Sequence, residues 1–485
     1  MNRLVVVSNR VPDLAATAQA GGLAVALGAL MQRRGGLWFG WSGQISAAPS
    51  GVSLTRSEHV DYATIDLTAD EHESYYNGFS NAVLWPVLHT LPDLMHADRH
   101  CADIYQATNA RMADALVPLL RPNDLVWVHD YHLLPLPALL RARGVHAPIG
   151  FFLHVPFPAP DVFSIVPDAR RLLRDMLAAD MIGFQTPGDR DNFAATAQRL
   201  LGAARLGEST LVHGGNRVRL GVFPVEIDPR SFAALARENA DSAATQRLRA
   251  SLGGQRLLIG ADRLDPTKGL VQRLAAYRTL LATHPELRGA VTMLQIAAAS
   301  RQDVATYRDL RAALERQAGA INAEFGEPDW TPLRVVARAV PRGTMAGYMR
   351  LARVGLVTPL RDGMNLVAKE FVAAQNPQDP GVLVLSRYAG AARQLSGAVL
   401  VNPHDPEEMA QAVGTALEMS QHERQDRWQS MWRAIEGTSA LAWGRNFVAA
   451  LINANRTRLD HAAANDAIPL PAIPAEATAV PLALH

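Results

Sequence analysis

The sequence has few of the features that mark disulfide-bonded, secreted or membrane-spanning proteins. Cys101 is the only cysteine in 485 residues, which excludes an internal disulfide and a thiolate metal cluster built within one chain. No apolar run approaches the roughly 20 uncharged residues that a membrane span requires. The apolar run that follows Met1, from Leu4 to Val7, is too short for a signal peptide. We therefore expect a cytoplasmic protein with no membrane partner.

The chain also lacks an excess of charge of either sign. Lys and Arg total 47, Asp and Glu total 46, and the formal net charge is +1. Such a balance gives no global field to attract nucleic acid or an anionic membrane, so phosphate-binding charge has to be local. With 48% hydrophobic and 19% charged residues, the composition is that of a folded enzyme. Because 485 residues exceed what one hydrophobic core supports, we expect two domains.

Short β-branched runs alternate with longer helical patterns, which is typical of parallel strands joined by crossover helices. The first series of predicted strands covers 4–9, 36–40, 63–67, 125–129, 149–154 and 181–185, and a second covers 257–261, 291–297, 333–340, 354–358, 382–386 and 399–401. This pattern predicts an α/β protein with two doubly wound domains whose cleft holds the ligands. The predicted limits are 1–228, 229–440, a terminal helix at 441–460 that packs back across the hinge, and a mobile Ala- and Pro-rich tail at 461–485.

The segment 358–370, TPLRDGMNLVAKE, follows a predicted strand and opens a helix. The amides of Gly363, Met364 and Asn365 would be donors at a helix N-terminus, suited to a phosphate oxygen or a sugar hydroxyl. Asp362 is placed to accept from a sugar hydroxyl, and Glu370, about two turns further on, can approach a ribose diol. In isolation, Asp362 could equally be a helix cap and Glu370 a surface charge.

The segment 263–269, RLDPTKG, also follows a predicted strand, and it places Arg263 and Lys268 beside a helix start. A departing nucleotide diphosphate gains negative charge as the glycosidic bond breaks, and fixed cations stabilise it without a metal. We interpret the pair as a clamp for a leaving group. A solvated basic turn is the alternative.

Two groups of residues in the first domain predict the other side of the cleft. Ser8-Asn9-Arg10 leaves the first strand, and the glycine pair at 21–22 opens the next helix. Glycine at a helix start lets the backbone approach an anion. Glycine pairs also occur in many turns. Aromatic residues, only 6% of the chain, are concentrated in WFGWSG at 38–43 and YYNGFSNAVLWP at 75–86. Such rings can stack on a sugar or can belong to the core.

Asp130 and His154 follow neighbouring predicted strands in the strings VHDYHLLP at 128–135 and FLHVPFP at 152–158. Adjacent strand ends bring the two side chains to one sheet edge, where an acceptor could be held. A structural role is the usual explanation for a single histidine. Two polar residues at adjacent strand ends favour a functional site.

Together these strings resemble the trehalose-6-phosphate synthases, which are retaining glycosyltransferases of the GT-B architecture, with two Rossmann-like domains facing across a cleft. The resemblance runs from about residue 3 to about residue 447 and rests on SNR at 8–10, GLWFGWSG at 36–43, FSNAVLWP at 79–86, the two histidine-containing strings and RDGMNLV at 361–367. One departure is Pro266, where the family usually has an aromatic residue.

The resemblance implies a role for each residue of the site. For glucose-6-phosphate it implies Arg10, Trp41, Tyr76, Trp85, Asp130, Gln185 and Arg301. For the nucleotide sugar it implies Gly22, His154, Arg263, Lys268, Asp362, Gly363, Met364, Asn365, Leu366, Val367 and Glu370. The candidate catalytic residues are Asp130, His154, Arg263, Lys268 and Asp362.

The activity implied by the resemblance is transfer of glucose from UDP-glucose to glucose-6-phosphate with retention, forming α,α-trehalose 6-phosphate and UDP in the first step of trehalose synthesis. The resemblance implies no cofactor and no metal. It implies a homo-oligomer, either a dimer or a tetramer. Attack on the face from which the phosphate leaves needs no protein nucleophile, and the sequence offers no persuasive pair of catalytic carboxylates.

Two other functions remain open at this stage. A related retaining glycosyltransferase could use another phosphorylated acceptor, such as glycerol-3-phosphate or a cyclitol phosphate. A sugar-phosphate sensor without catalysis could share the fold, although the intact Arg263, Lys268, Asp362 and Glu370 argue against it. The donor nucleotide is also open among UDP, GDP and ADP, with UDP the family default.

Overall fold

The computed structural model describes residues 2–12, 22–299 and 305–466, without the side chains of 22–26, 305 and 456–466. The strands are β1 (Leu4–Arg10), β2 (Gly36–Ser46), β3 (Ser53–Arg56), β4 (Val60–Thr68), β5 (Leu125–His129), β6 (Ile149–Phe152), β7 (Met181–Phe184), β8 (Ala204–Leu206), β9 (Thr210–His213), β10 (Asn216–Val222), β11 (Arg256–Arg263), β12 (Val291–Ala298), β13 (Leu333–Val336), β14 (Val354–Val357), β15 (Val382–Ser386) and β16 (Val399–Val401).

The α-helices are α1 (Gly22–Arg34), α2 (Trp85–Leu88), α3 (Arg99–Leu116), α4 (Leu136–Ala142), α5 (Pro160–Phe163), α6 (Ala169–Met176), α7 (Pro187–Leu201), α8 (Pro229–Glu238), α9 (Ala243–Ser251), α10 (Leu270–Thr283), α11 (Ala305–Phe325), α12 (Arg342–Leu351), α13 (Leu366–Ala374), α14 (Pro406–Glu418), α15 (Gln421–Ile435) and α16 (Ala440–Asp466). A π-helix, Glu71–Leu84, runs directly into α2. No helix in the described part of the chain is long and apolar enough to cross a membrane.

The first sheet has the strand order β3-β4-β2-β1-β5-β6-β7-β10-β9-β8. Its strands from β4 to β7 are parallel, and β1 lies between β2 and β5. In such a sheet the winding reverses between β1 and β5, and a crevice opens there at the strands' carboxyl ends. Arg10 ends β1 and Asp130 follows β5, so the topology places both residues at this crevice.

The second sheet is wholly parallel, in the order β13-β12-β11-β14-β15-β16. Its winding reverses between β11 and β14, which makes this the corresponding crevice. Arg263 is the last residue of β11, and the segment 358–365 follows β14. Two doubly wound domains are therefore present, which confirms the predicted α/β class.

Every strand predicted from the sequence corresponds to a strand of these sheets, whereas β3, β8, β9 and β10 were not predicted. All four residues of β3 are exposed, and β8 has no buried residue, so neither carries the apolar run that marks a strand. The segment after the predicted limit at 228 forms two helices, α8 and α9, because Ser242 caps the second by accepting from Thr245 N.

The long terminal helix α16 packs against the first sheet although it follows the second sheet in the chain. Trp443 and Phe447 are buried among Leu4, Val6 and other residues of that sheet. The rings of Trp127 and Phe447 stack with centroids 4.3 Å apart. We use "N-terminal lobe" for residues 2–222 with α16, and "C-terminal lobe" for 229–435.

Helix α16 is longer than the sequence suggested, since it runs to Asp466 and therefore includes 461–466, which were assigned to a tail. The added sequence HAAAND is rich in alanine, which favours helix without an apolar stripe. The rest of the tail, 467–485, lies outside the described residues. The predicted limit at 228 coincides with the cap of α8, whose Asp228 accepts from Ser231 N.

Candidate active site

A continuous wall of aromatic rings joins the crevice of one lobe to that of the other. The contacts pass in order through Arg10, Trp41, Tyr76, His132, Tyr131, Trp85 and Arg263. Arg10 Cζ lies 5.6 Å from the centroid of the Trp41 ring, and Arg263 Cζ lies 5.9 Å from that of Trp85. One cation at the end of β1 and one at the end of β11 thus lie at the two ends of one series of ring contacts, which we call the aromatic wall. Most of its rings are buried: Trp41, Trp85, Tyr131 and His132.

In the Ser-Asn-Arg string at the end of β1, the first two side chains form hydrogen bonds within the N-terminal lobe, whereas the third is exposed. Ser8 accepts from Trp38 Nε1 at 2.8 Å, and Asn9 accepts from the Tyr75 hydroxyl at 2.8 Å. Arg10 is exposed. Its guanidinium lies over Gly43, where a Cβ would come within 2.5 Å of it and where φ is +92°. Glycine at this position therefore leaves the room that Arg10 needs.

The aromatic motifs contain both core residues and cleft residues. Tyr75 and Phe79 are buried in the core of the N-terminal lobe, whereas Tyr76 is only partly buried and contacts both Trp41 and His132. These residues lie on the π-helix Glu71–Leu84, a rare element that is frequent at functional sites. The core alternative is thus correct for Tyr75 and Phe79, and Trp41 and Trp85 also belong to that core, while Tyr76 lines the wall.

Asp130 and His154 lie side by side, as the strand-end argument predicts. Asp130 N donates to Phe152 O at 2.8 Å, and Asp130 Oδ1 accepts from His154 N at 3.2 Å. Asp130 has φ 74° and ψ 170°, a region that is almost restricted to glycine and costs about 1–3 kcal/mol. The strain fixes the direction in which this carboxylate leaves the sheet.

The imidazole of His154 is held neutral. Its Nε2 lies 3.0 Å from Nδ1 of His129, so one ring donates and the other accepts. Burial lowers the pKa of His154 to about 3 and lowers that of His129, which the neighbouring His154 lowers further. His154 can therefore offer a neutral hydrogen-bonding group, and not a positive charge, near neutral pH.

The two cations of the predicted clamp lie in different surroundings. Lys268 is 9% exposed and forms an ion pair with Asp362, whereas Arg263 is exposed on the aromatic wall. A solvated basic turn is therefore wrong for Lys268. Pro266 begins the short 3-10 turn Pro266–Lys268, which Asp265 caps by accepting from Thr267 N at 3.0 Å.

The donor loop, residues 361–367, runs from the end of β14 into α13. The cap of α13 is Asn365, whose side chain accepts from Ala368 N, so Asp362 is not the helix cap. Asn365 Nδ2 instead donates to Asp362 Oδ2 at 3.0 Å. Within the described part of the chain, the amides of Gly363, Met364, Asn365, Leu366 and Val367 have no acceptor. They are free for a ligand.

The donor loop lies directly against the N-terminal lobe. A Cβ at Gly363 would come within 2.1 Å of the His154 carbonyl oxygen, and one at Gly390 within 1.9 Å of the Gly363 carbonyl oxygen. Any side chain at either position would push the loop away from its neighbour. Both glycines are therefore required for the close approach of the donor loop to His154.

Glu370 lies on α13, partly buried, with its carboxylate 3.8 Å from the Arg342 guanidinium. Burial raises the pKa of Glu370 to about 7, and Arg342 opposes that rise. The surface-charge alternative is therefore wrong for Glu370. A carboxylate that titrates near neutral pH is typical of functional sites.

The remaining predicted site residues are Gln185, Arg301 and Gly22. The polar atoms of Gln185 are both engaged: Oε1 accepts from Val225 N at 2.9 Å and Nε2 donates to His154 O at 3.4 Å. Arg301 lies outside the described residues. Helix α1 begins at Gly22, and the residue before it is also outside that range.

Two buried residues that support the clamp were missed. Asp265 accepts from Trp85 Nε1 at 3.3 Å and so ties the clamp to the aromatic wall. Arg273, 1% exposed, donates to Asp262 at 2.7 Å and to Thr358 at 3.0 Å. Asp265 stands within the RLDPTKG string and could have been chosen from it, whereas Arg273 looks like any arginine of an amphipathic helix.

Among the described residues, no three His, Cys, Asp or Glu side chains converge to hold a metal ion.

Comparison with known proteins identifies the family. The model of glycosyltransferase family 20 matches residues 3–453. The chain belongs to glycosyltransferase family 20. The match extends slightly beyond the range over which the sequence motifs indicated the resemblance.

Named relatives of this glycosyltransferase share most of its length. It is 45% identical over 453 residues to a trehalose-6-phosphate synthase of Sinorhizobium fredii (strain NBRC 101917 / NGR234), covering 92% of this chain and 98% of that protein. A crystal structure of the UDP-forming α,α-trehalose-phosphate synthase from Burkholderia xenovorans in complex with glucose-6-phosphate is similar at TM-score 0.89 and 43% identity, covering 93% of this chain and 100% of that one.

A third relative is an E. coli structure bound with UDP-2-fluoro glucose, similar at TM-score 0.88 and 42% identity, which covers 93% of this chain and 99% of that one. These similarities extend over both sheets. The two facing doubly wound domains are the GT-B architecture that the resemblance implied.

Proposed function

We propose that this glycosyltransferase transfers glucose, with retention, from UDP-glucose to glucose-6-phosphate, forming α,α-trehalose 6-phosphate and UDP without a cofactor. The observation that carries the proposal is the aromatic wall, which joins Arg10 at one crevice to Arg263 at the other. Such a site has a cation for a sugar phosphate at one end and a cation for a nucleotide diphosphate at the other. The relatives named above support these two substrates.

At the acceptor end, Arg10 would bind the phosphate of glucose-6-phosphate, and Trp41, Tyr76 and Trp85 would pack against the sugar. A guanidinium suits phosphate because its planar donors match the oxygen spacing. In the same assignment Arg301 supplies a second cation. Asp130 accepts from a sugar hydroxyl beside the reaction centre.

At the donor end, the free amides of 363–367 and the positive end of α13 would bind donor hydroxyls and diphosphate oxygens. Glu370 would accept from the ribose diol. Arg263 and Lys268 would contact the diphosphate, and Asp362, which pairs with Lys268, holds that ammonium in place. Gly22 would bring the start of α1 close to the donor.

The reaction then needs no protein nucleophile. The bond between glucose C1 and the β-phosphate oxygen breaks while the acceptor's O1 bonds to C1 on the same face. The acceptor's proton passes to the departing phosphate oxygen, so UDP leaves with the electron pair of the broken bond. Neutral His154 would hydrogen-bond a donor hydroxyl, and catalysis comes from positioning and from cationic stabilisation of the leaving group.

Arg10→Ala is expected to weaken acceptor binding more than turnover. Loss of a hydrogen bond to a charged group costs about 1.5–3 kcal/mol, which corresponds to an increase of about 10- to 100-fold in KM for glucose-6-phosphate. Steady-state rates with each substrate varied in turn measure this. Arg99→Ala, at a position whose side chain is 80% exposed on α3, is the control and should leave both KM values unchanged. An Arg10→Ala enzyme with unaltered acceptor dependence contradicts the assignment.

The affinity for UDP-glucose is expected to decrease as the pH is lowered. With a pKa of about 7, the ionised fraction of Glu370 falls about tenfold between pH 8 and pH 6. Since the carboxylate is the form that accepts from two ribose hydroxyls, kcat/KM for UDP-glucose should fall about tenfold over this range. Measurements at saturating acceptor test this, and Glu370→Gln should give a low and flat profile. A flat profile in the unaltered enzyme contradicts the assignment.

Product analysis tests the activity itself. The enzyme is incubated with UDP-glucose and, separately, glucose-6-phosphate, glycerol-3-phosphate or inositol-1-phosphate, and UDP release is followed. NMR of the product with glucose-6-phosphate should show an α,α-1,1 linkage. UDP release with another acceptor alone, or with none of the three, would overturn the proposal.

A further inference from the structure

A set of buried polar contacts joins the two lobes behind the cleft. Its centre is Lys369, on α13 immediately before Glu370, with a side chain that is 0% exposed. Lys369 Nζ donates to Val225 O at 2.9 Å and to Glu226 Oε2 at 2.7 Å. The other oxygen of Glu226 accepts from Gln394 Nε2 at 2.8 Å. Both acceptors lie on the connecting segment, residues 223–228, between β10 and α8.

The same connecting segment is bound to the N-terminal lobe. Val225 N donates to Gln185 Oε1, and Gln185 Nε2 donates to His154 O. That carbonyl oxygen is the atom against which Gly363 of the donor loop packs. The donor loop leads into α13 and back to Lys369, so the contacts close into a ring that passes through both lobes.

Stability alone is a weak explanation for a buried charge pair. Desolvation of two buried ions can exceed their attraction, so an apolar pair of similar volume often stabilises a protein as well or better. The pair instead fixes the position of the Lys369 side chain. A lysine ammonium that donates to two fixed oxygens has one position, whereas an apolar side chain would have several. That position is imposed on α13 beside the residue assigned to the ribose.

We propose that Lys369 is a positioning residue for the donor: through the connecting segment it holds α13, with Glu370 and the free amides of the donor loop, in register with His154 of the opposite lobe. The inference rests on the proposed function, since it takes UDP-glucose as the ligand of α13. Gln185 belongs to the same ring, because its Oε1 accepts from Val225 N and its Nε2 donates to the His154 carbonyl oxygen.

The first test is Lys369→Met, which keeps length and removes the donor. A misplacement of about 1 Å can lower a rate about 100-fold, so we expect kcat/KM for UDP-glucose to fall about 10- to 100-fold. KM for glucose-6-phosphate should change little, because Arg10 and the aromatic wall lie outside the ring. Arg141→Met is the matched control: it breaks a 2.8 Å pair with Asp180 in the N-terminal lobe and should lower Tm without altering donor kinetics.

The double variant Lys369→Met/Glu226→Gln separates positioning from stability. Removal of both charges takes away the unpaired buried carboxylate that Lys369→Met leaves, so Tm should recover. Donor kinetics should stay impaired, because the directional contact is still missing. If kcat/KM for UDP-glucose recovers together with Tm, Lys369 is only structural and the inference is wrong. If Lys369→Met does not fold, Gln394→Leu replaces it as the test. This variant leaves the ion pair intact and should show a smaller defect of the same kind.

Failure of the inference can be told apart from failure of the proposed function. Calorimetric titration with UDP needs no turnover, and Lys369→Met should bind UDP about 10-fold or more weakly than the unaltered enzyme. Equal affinity overturns the positioning role, whatever the enzyme catalyses. If the unaltered enzyme forms no disaccharide phosphate, the proposed function is wrong, while the UDP titration still decides the role of Lys369.

Discussion

Arg263→Ala is expected to lower kcat by about 100- to 1,000-fold, the range seen when one preorganised group that stabilises developing charge is removed. KM for UDP-glucose and for glucose-6-phosphate should change far less. Arg263 is exposed at the end of β11, with its guanidinium over the Trp85 ring, so the change leaves no cavity in the core. Stopped-time assays of UDP release over a range of both substrates measure the effect.

The physical reason is the change in charge on the leaving group. As the bond to C1 breaks, the diphosphate gains a negative charge that it does not carry in UDP-glucose. A cation fixed beside it interacts more strongly with the transition state than with the substrate, and only such a difference raises kcat. Lys268 cannot replace Arg263 in full, because its ammonium already pairs with Asp362.

Arg263→Lys provides the graded comparison. It keeps the charge and loses the planar donors, so it should recover part of the rate and not all of it. Arg278→Ala, on the exposed surface of α10 in the same lobe, is the control for loss of a positive charge and should not alter kcat. An Arg263→Ala enzyme with normal kcat and raised KM for UDP-glucose would show that Arg263 contributes only to ground-state binding.

Local sequence patterns predicted the architecture of this protein because its strands are short apolar runs bounded by turns. Of the four strands that were missed, β3 is wholly exposed and β8 has no buried residue, whereas β9 and β10 together bury only Leu211, Val218 and Leu220. The end of α16 was misplaced for a similar reason, because its last residues form helix from alanine propensity and carry no apolar stripe.

The candidate site was predictable where one string carries both a strand end and its polar residue, as at Arg10, Asp130, Arg263 and Asp362. It was not predictable where a contact joins distant segments. Lys369 meets Glu226 across 143 positions, and Trp85 meets Asp265 across 180. No periodicity or spacing encodes such pairs. The cap of α13 shows a related difficulty, since Asp362 and Asn365 are both good caps and only the backbone at Asn365, with φ 73°, decides between them.

Asp130→Gly is expected to abolish most activity while leaving the protein as stable as before or more so. The carboxylate beside the reaction centre is lost, and kcat/KM should fall about 100-fold or more, as when a positioning contact in the transition state is removed. The backbone at Asp130 lies in a region that suits glycine, so relief of about 1–3 kcal/mol opposes the loss of the carboxylate's contacts, of which the hydrogen bond to His154 N is worth about 1 kcal/mol.

Asp130→Ala and Asp168→Gly complete the comparison. Alanine removes the same carboxylate without relieving the backbone, so this enzyme should be equally inactive and should melt below Asp130→Gly. Asp168, exposed at the start of α6, also has a positive φ, of 58°, but it lies outside the site. Asp168→Gly should therefore gain stability and keep full activity. Tm by calorimetry and kcat/KM for each substrate distinguish the three.

The order of these melting temperatures tests whether strain at Asp130 is retained for function. A residue under strain that could be relieved by one substitution persists only if the relieved form works less well. At Asp130 the strained backbone aims the carboxylate along the edge between β5 and β6, where it meets His154 N. If Asp130→Gly melted well below the unaltered enzyme, the hydrogen bond would outweigh the strain, and Asp130 would serve the fold. If it melted at or above that temperature and lost activity, the strain would be the cost of holding a carboxylate in the cleft.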